Sequence, residues 1–259
     1  IILIIPTGSG KIMFNASVIK GLKTALFTAV LFSASHASAD IVISGTRIVY
    51  PESSKDVIVN LDNRGAKPLL VQSWLDDGRD EKSPEELKLP FVITPPVSRI
   101  DPKQGQSLRI TYMGHSLPKD RESLFWFNVL EIPPKPKNAN AENTNQLQLA
   151  FRTRIKFFFR PDGLKGSALE AADHVTWTMK KDGNGVSLVA HNESPYNVAI
   201  SMVKLKSGQK TYEVAHQSVL PFSEKAMLVK GLTTTTTGKV AYETINDNGG
   251  VDNHETTLK

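Results

Sequence analysis

The chain has 259 residues, 40% hydrophobic and 22% charged, with a formal charge of +5 and no cysteine. That composition can bury a core, excludes disulfides and cysteine-based metal or nucleophile chemistry, and leaves packing to hold the fold unaided. Lys11, Lys20 and Lys23 lie in a segment without acids, so the charge falls to +2 when residues 1–39 are set aside, and interspersed signs at that level give no case for nucleic acid.

Those first residues read as an export leader. Lys20 and Lys23 precede the apolar run Ala25–Ala34, which ends in Ala37-Ser38-Ala39. A basic start, an apolar centre too short to span a bilayer and an A-x-A site describe a secretory signal peptide. Met13 is the expected start, with Ile1–Ile12 as translated upstream sequence. Cleavage is expected after Ala39, leaving Asp40 first. The segment IIPTGSGKI imitates a nucleotide phosphate loop, but Ile12 stands where a Ser or Thr should hold magnesium, so no ATP is implied.

After the leader, alternating apolar runs follow one another with turn residues between them. Strands are predicted at Ile41–Tyr50, Asp56–Asp62, Pro68–Leu75, Phe91–Thr94, Ser107–Tyr112 and Leu124–Ile132. Trp74 and Trp126 fall in these strands and read as core aromatics. The acids Asp76-Asp77 and Glu85-Glu86 read as solvated loop residues. Next comes the stretch QLQLAFRTRIKFFFRP, Gln146–Pro161. Leu147, Leu149, Phe151, Ile155, Phe157 and Phe159 alternate with Gln148, Arg152, Arg154, Lys156 and Arg160. Period two over that length is a strand longer than the usual ~5–6 residues. On pattern alone it fits an ordinary sandwich strand with one buried face. A strand of this length can also reach past its own core and offer a spare apolar row to a partner.

The pattern pauses through Asp162–Asp173. It resumes at His174–Met179, Gly185–Asn192, Asn197–Leu205, Lys225–Val229 and Lys239–Ile245, again without helical periodicity. The expected fold is all-β: two immunoglobulin-like sandwiches in series, at 40–162 and 163–259. The histidines show no metal-ligand spacing, and no nucleophile–base pair stands out, so neither a metal site nor an enzyme is expected.

Several segments carry a family resemblance. They are GTRIVYP at Gly45–Pro51, ITPPVSRIDP at Ile93–Pro102, LPKDRESLFWFNVLEIPP at Leu117–Pro134, the long strand, and YETINDNGG at Tyr242–Gly250. Together they resemble the PapD-like periplasmic chaperones of the chaperone–usher pilus pathway, in the family's order and across both proposed domains. The resemblance implies two immunoglobulin-like domains in an L or boomerang. It implies a periplasmic, cofactor-free chaperone that binds, folds and caps pilus subunits and delivers them to an outer-membrane usher. It assigns Arg47 and Lys156 as anchor for a subunit's C-terminal carboxylate, and Leu147, Leu149 and Phe151 as the row lent to an incomplete subunit. Glu122, Arg160 and Asp247 match a charged triad between the domains. Self-association through the exposed strand is a further implication. The modest loop Lys135–Gln146 and the absent cysteines fit the short-loop branch. Two features stand apart: Phe157-Phe158-Phe159 is bulky on both faces, and strict alternation puts Lys156 opposite the apolar row unless a bulge intervenes. An exported two-domain adhesin remains the rival reading, one that would not need the Arg47/Lys156 pair.

Overall fold

The computed structural model describes residues 40–114, 117–134, 149–183 and 185–259. The leader with Met13 and Ala39, the loop Lys135–Gln146 and Leu147 lie outside the described residues. Among the described residues, nine strands form the first half: β1 (Ile41–Ile43), β2 (Arg47–Pro51), β3 (Asp56–Asn63), β4 (Leu69–Asp76), β5 (Phe91–Thr94), β6 (Val97–Ile100), β7 (Gly105–Tyr112), β8 (Ser123–Ile132) and β9 (Phe151–Arg160). They build a sheet ordered β1-β3-β7-β5 and a second ordered β2-β9-β8-β4-β6. Val59, Leu61, Leu108, Ile110, Phe127 and Phe157 fill the space between the two.

The second half begins with helix α1 (Ala168–Asp173) and continues with β10 (Thr176–Asp182), β11 (Gly185–Asn192), β12 (Ile200–Ser207), β13 (Lys210–Glu213), β14 (Ser223–Leu228), β15 (Lys239–Ile245) and β16 (Val251–Thr257). Its sheets are β10-β11-β14 and β13-β12-β15-β16. Trp177, Leu188, Leu205, Val240 and Tyr242 form a separate core. Two immunoglobulin-like sandwiches, each with its own core, make the all-β fold expected from the spacing of the apolar runs.

Several elements depart from the sequence reading. Ile41–Tyr50 is not one strand. Gly45, at φ 121°, turns the chain, so that β1 joins β3 in one sheet and β2 joins β9 in the other. Only glycine adopts that conformation without steric strain. The pause after Pro161 contains α1, opened by a reciprocal cap: Ser167 Oγ accepts from the Glu170 N–H at 3.2 Å, and Glu170 Oε2 accepts from the Ser167 N–H at 3.0 Å. The S-x-x-E spacing was the available signal. Strands β6, β13 and β16 were not predicted. β16 alternates only half-buried and exposed residues, so it carries no apolar period. Among the described residues the long strand begins at Phe151, with Leu149 and Ala150 just before it outside the ladder; Gln146–Gln148 lie outside the described residues.

Candidate functional site: a cation pair beside an exposed apolar row

Strand β9 lies between β8 and β2 and sets the geometry. Its pairing with antiparallel β8 runs without a shift from Ser123↔Phe159 to Glu131↔Phe151. Its pairing with parallel β2 runs from Arg47↔Lys156 to Pro51↔Arg160. No bulge interrupts either ladder, so alternation holds strictly. Phe157 and Phe159 point into the first core, and Ile155 packs against it. Leu149 and Phe151, ahead of that core on the same parity, are 54% and 42% exposed. Lys156 therefore lies on the face opposite the apolar row.

The aromatic run resolves by the same rule. Phe157 and Phe159 belong to the first sandwich. Phe158 is 3% exposed and lines a cavity of about 230 Å³ with Arg47, Leu169, Val198 and Thr244, so it meets the second half of the chain.

Arg47 and Lys156 are direct neighbours in the parallel ladder. Arg47 Nη1 donates to the Ile245 carbonyl at 2.5 Å, while its buried Nε has no acceptor among the described residues. Lys156 Nζ donates to Ser218 Oγ and lies 5.9 Å from the centre of the Trp126 ring. Burial, and then the neighbouring charge of Arg47, push the Lys156 ammonium down to about 8. Burial likewise lowers Arg47, against a partial counter-pull from Asp247. Neither cation has a carboxylate in bonding contact among the described residues. A half-buried charge without a bonded acid can accept an anion without first breaking an ion pair.

Farther along the same face, Arg160 has acids on both sides. Its Nε donates to Glu122 Oε1 at 2.7 Å, and its two Nη atoms donate to Asp247 at 2.8 and 3.1 Å. Glu122 Oε2 accepts from the Asn197 backbone N–H at 2.8 Å and from Asn197 Nδ2 at 3.2 Å. Glu122 sits on the first half, just ahead of β8. Asn197 and Asp247 belong to the second half. The three charged residues thus make a continuous polar contact between the sandwiches.

Asp76 was read as solvated, but it is fully buried at the end of β4. Trp74 and Trp126 were read as core aromatics. They are instead half-buried on the outer face, with the Arg152 and Arg154 guanidiniums 5.1 and 4.3 Å from their ring centres. Both arginines reach Asp76. Burial drives the Asp76 carboxyl up, but hydrogen bonds from Arg154, Asn128 and the Gly78 N–H, together with the Arg154 charge, outweigh it and leave it below its ordinary value. The sequence held one hint, the run of even-numbered cations on the long strand. Their acid lies more than seventy residues away in sequence, and only strand pairing brings it under them.

Residues 40–165 match the family model described as pili and flagellar-assembly chaperone, PapD N-terminal domain, and residues 170–256 match pili assembly chaperone PapD, C-terminal domain. The chain is similar to the probable fimbrial chaperone YadV of Escherichia coli strain K12, 49% identical over 225 residues that cover 86% of this chain and 91% of that protein. It is 42% identical over 231 residues to the chaperone protein FimB/FhaD of Bordetella pertussis, covering 86% and 89%. The crystal structure of the YadV chaperone superposes with a TM-score of 0.74 at 46% identity, covering 85% of this chain and 100% of that one. A chain from the Salmonella enterica SafA pilin–SafB chaperone complex superposes with a TM-score of 0.71 at 27% identity, covering 86% and 99%.

Proposed function

The chain belongs to the PapD family of pilus-assembly chaperones, which are not enzymes, and we propose that it binds, folds and caps pilus subunits in the periplasm and passes them to an outer-membrane usher. The observation that carries the reading is a half-buried cation pair without a bonded acid among the described residues, on the strand that the exposed Leu149 and Phe151 lead into. A subunit lacking a strand exposes a groove and unpaired backbone groups, a surface that aggregates. The strand Gln146–Phe159 supplies ladder hydrogen bonds, and Leu147, Leu149 and Phe151 fill the groove. Each such side chain contributes on the order of 1.5–3 kcal/mol when buried. Arg47 offers a guanidinium fork and Lys156 a point charge to the subunit's terminal carboxylate. The triad Glu122–Arg160–Asp247 holds the two sandwiches in a fixed relation. In the absence of a subunit, the same row pairs with a second copy of the chain. A Sec-type leader cleaved after Ala39 delivers the chain to the periplasm.

The test is copurification of a pilus subunit with the full chain from periplasm. Arg47→Ala and Lys156→Ala should each lower complex recovery by roughly tenfold or more with the fold intact, as should amidation of the subunit's C-terminus. Leu149→Glu should weaken capture without changing the melting temperature, because Leu149 is exposed in the free chain. Undiminished recovery with both cation variants would end the anchor reading. Loss of stability on Leu149→Glu would end the strand-donation reading.

A further inference from the structure

Arg152, Arg154 and Lys156 share one face of β9, with Arg47 beside the last. Same-face residues on a strand recur about every 6.6 Å. A subunit chain slipped by one residue along β9 turns its apolar side chains outward, and that error is suppressed by the pleat itself. A slip of two residues keeps every side chain on its own face, so alternation gives no protection against it. The terminal carboxylate would then meet Arg154 instead of Lys156. After four residues it would meet Arg152. A guanidinium fork matches a carboxylate better than an ammonium does. Something must keep the two arginines from competing.

Asp76 does this by geometry. Strand β8 separates β9 from β4, and both guanidiniums cross it to reach Asp76. Arg154 Nε donates to Asp76 Oδ2 at 3.0 Å, and its Nη2 donates to Oδ1. Arg152 Nη2 lies 3.5 Å from Oδ2, while its Nε donates to Asn128 Oδ1 at 2.8 Å and its Nη1 to the Asp80 carbonyl at 3.0 Å. Asn128 Nδ2 and the Gly78 N–H complete the shell of Asp76 at 2.8 and 2.7 Å. The rings of Trp126 and Trp74 lie against the two guanidiniums. β2 begins its pairing only at Lys156, so among the described residues Phe151–Ile155 have a strand neighbour on the β8 side alone. The arginines are drawn away from that open edge, toward β4.

We propose that Asp76 is a positioning residue for subunit capture: by holding Arg152 and Arg154 across β8, it leaves Arg47–Lys156 as the carboxylate anchor of this face and fixes the register of the bound strand against two-residue slips. The inference rests on the anchor reading above.

The test uses the full chain and the pilus subunit that copurifies with it. Because the chain has no cysteine, Thr153→Cys paired with single cysteines in the subunit's last strand reports register through disulfide trapping. Lys156→Ala alone should lower complex recovery by roughly tenfold. Asp76→Asn/Lys156→Ala should regain a substantial part of it, with the trapped position moved by two residues, and adding Arg154→Gln should remove that rescue. Asp76→Glu should keep the wild-type register. A purely structural role for Asp76 predicts no rescue, so a folded double variant as poor as Lys156→Ala, or one with unmoved crosslinks, overturns the proposal. Normal capture by Lys156→Ala alone would instead end the anchor reading. If Asp76→Asn does not fold, Asp76→Asn/Arg152→Gln repeats the test with one unmatched guanidinium fewer. Failure of both to fold would make Asp76 a folding residue and overturn the proposal as well.

Discussion

Lys156 and Arg160 project from the same face of β9 and meet opposite surroundings. Burial works against the charge of Arg160, but Asp247 and Glu122 outweigh it and raise the guanidinium above its ordinary value. Burial works against Lys156 too, and the nearest charge, Arg47, adds to the penalty. Arg160 is satisfied within the chain, by an acid from each sandwich. Lys156 donates to Ser218 and has no bonded acid among the described residues, the arrangement on which the proposed carboxylate anchor rests. The same strand, within one pleated face, holds a closed electrostatic contact and an open one. The difference comes from which loops of the second half reach each position: Asp247 reaches Arg160, whereas Ser218 and the Ile245 carbonyl, both neutral, reach Lys156 and Arg47.

The largest expected effect comes from opening the closed end. The Glu122 side chain is 1% exposed and Asp247 is 38% exposed. Glu122→Ala strands part of Arg160 and two donors of Asn197, and breaking a buried pair of this kind costs about 3–5 kcal/mol. Asp247→Ala removes a solvent-screened partner and should cost no more than ~1 kcal/mol. Urea unfolding of the two variants measures both. Equal losses would mean that exposure does not separate the two halves of the triad, and the bridging role proposed for it would need a different basis.

Closing the open end should have a smaller effect, of opposite sign. Burial and then the Arg47 charge push Lys156 down to about 8 in the folded chain, from its ordinary 10.5 when unfolded. Between those values the unfolded state holds more protons, so stability rises with pH across that window and the burial penalty is fully present below it. Lys156→Met should flatten this slope and stabilise the subunit-free chain at pH 7 by about 1 kcal/mol, discounted for partial exposure. Subunit capture should move the other way, weakening above pH 8 as the ammonium is lost. Melting temperature against pH, for wild type and Lys156→Met, checks the first. Complex recovery over the same range checks the second. A Lys156→Met variant that is less stable at pH 7 would show that Lys156 is satisfied in the free chain after all.

What the sequence disclosed follows the range of the interactions involved. The two sandwiches were legible because apolar alternation is local: Asp56–Asn63 and Gly185–Asn192 carry it in their own residues. The split of Ile41–Tyr50 was not: β1 turns odd positions inward (Ile41, Ile43) and β2 even ones (Ile48, Tyr50), but Val42 and Val49 fill the other parity and mask the change of phase around Gly45. β16 was hidden by its polar composition, and α1 by its shortness, although Ser167 and Glu170 announced its start. The anchor and triad residues were identified through family motifs, not through periodicity. Pairing of Arg47 with Lys156 joins positions more than a hundred residues apart, which no window of sequence reports. Asp76 and the two tryptophans were misread for the same reason: their partners are supplied by β9, across the sheet.

A third buried charge carries the comparison to the acid side, with the smallest expected effect. Glu131, at the end of β8, is 3% exposed. Its Oε2 accepts from the Asp40 backbone nitrogen at 3.1 Å, and its Oε1 has no donor among the described residues. With an amide at Asp40, burial raises the Glu131 carboxyl, only partly opposed by the N–H groups of Ile41 and Asp40. A carboxyl raised in the folded state is fully tolerated below its unfolded pKa, near 4.3, and becomes a liability as pH rises through the folded value. Cleavage after Ala39 would replace that amide with an ammonium, turning Glu131 from an open charge into a closed one. A chain beginning with a free amine at Asp40 should therefore be more stable at pH 6 than the same chain acetylated there, by up to ~1 kcal/mol given the partly exposed terminus. The gap should close below pH 4, where Glu131 is protonated, and again above pH 8–9 as the amine loses its charge. Glu131→Gln should erase it at every pH. Melting curves of the two amino-terminal forms decide the matter. A gap independent of pH, or one that persists in Glu131→Gln, would place its origin elsewhere than in this pair.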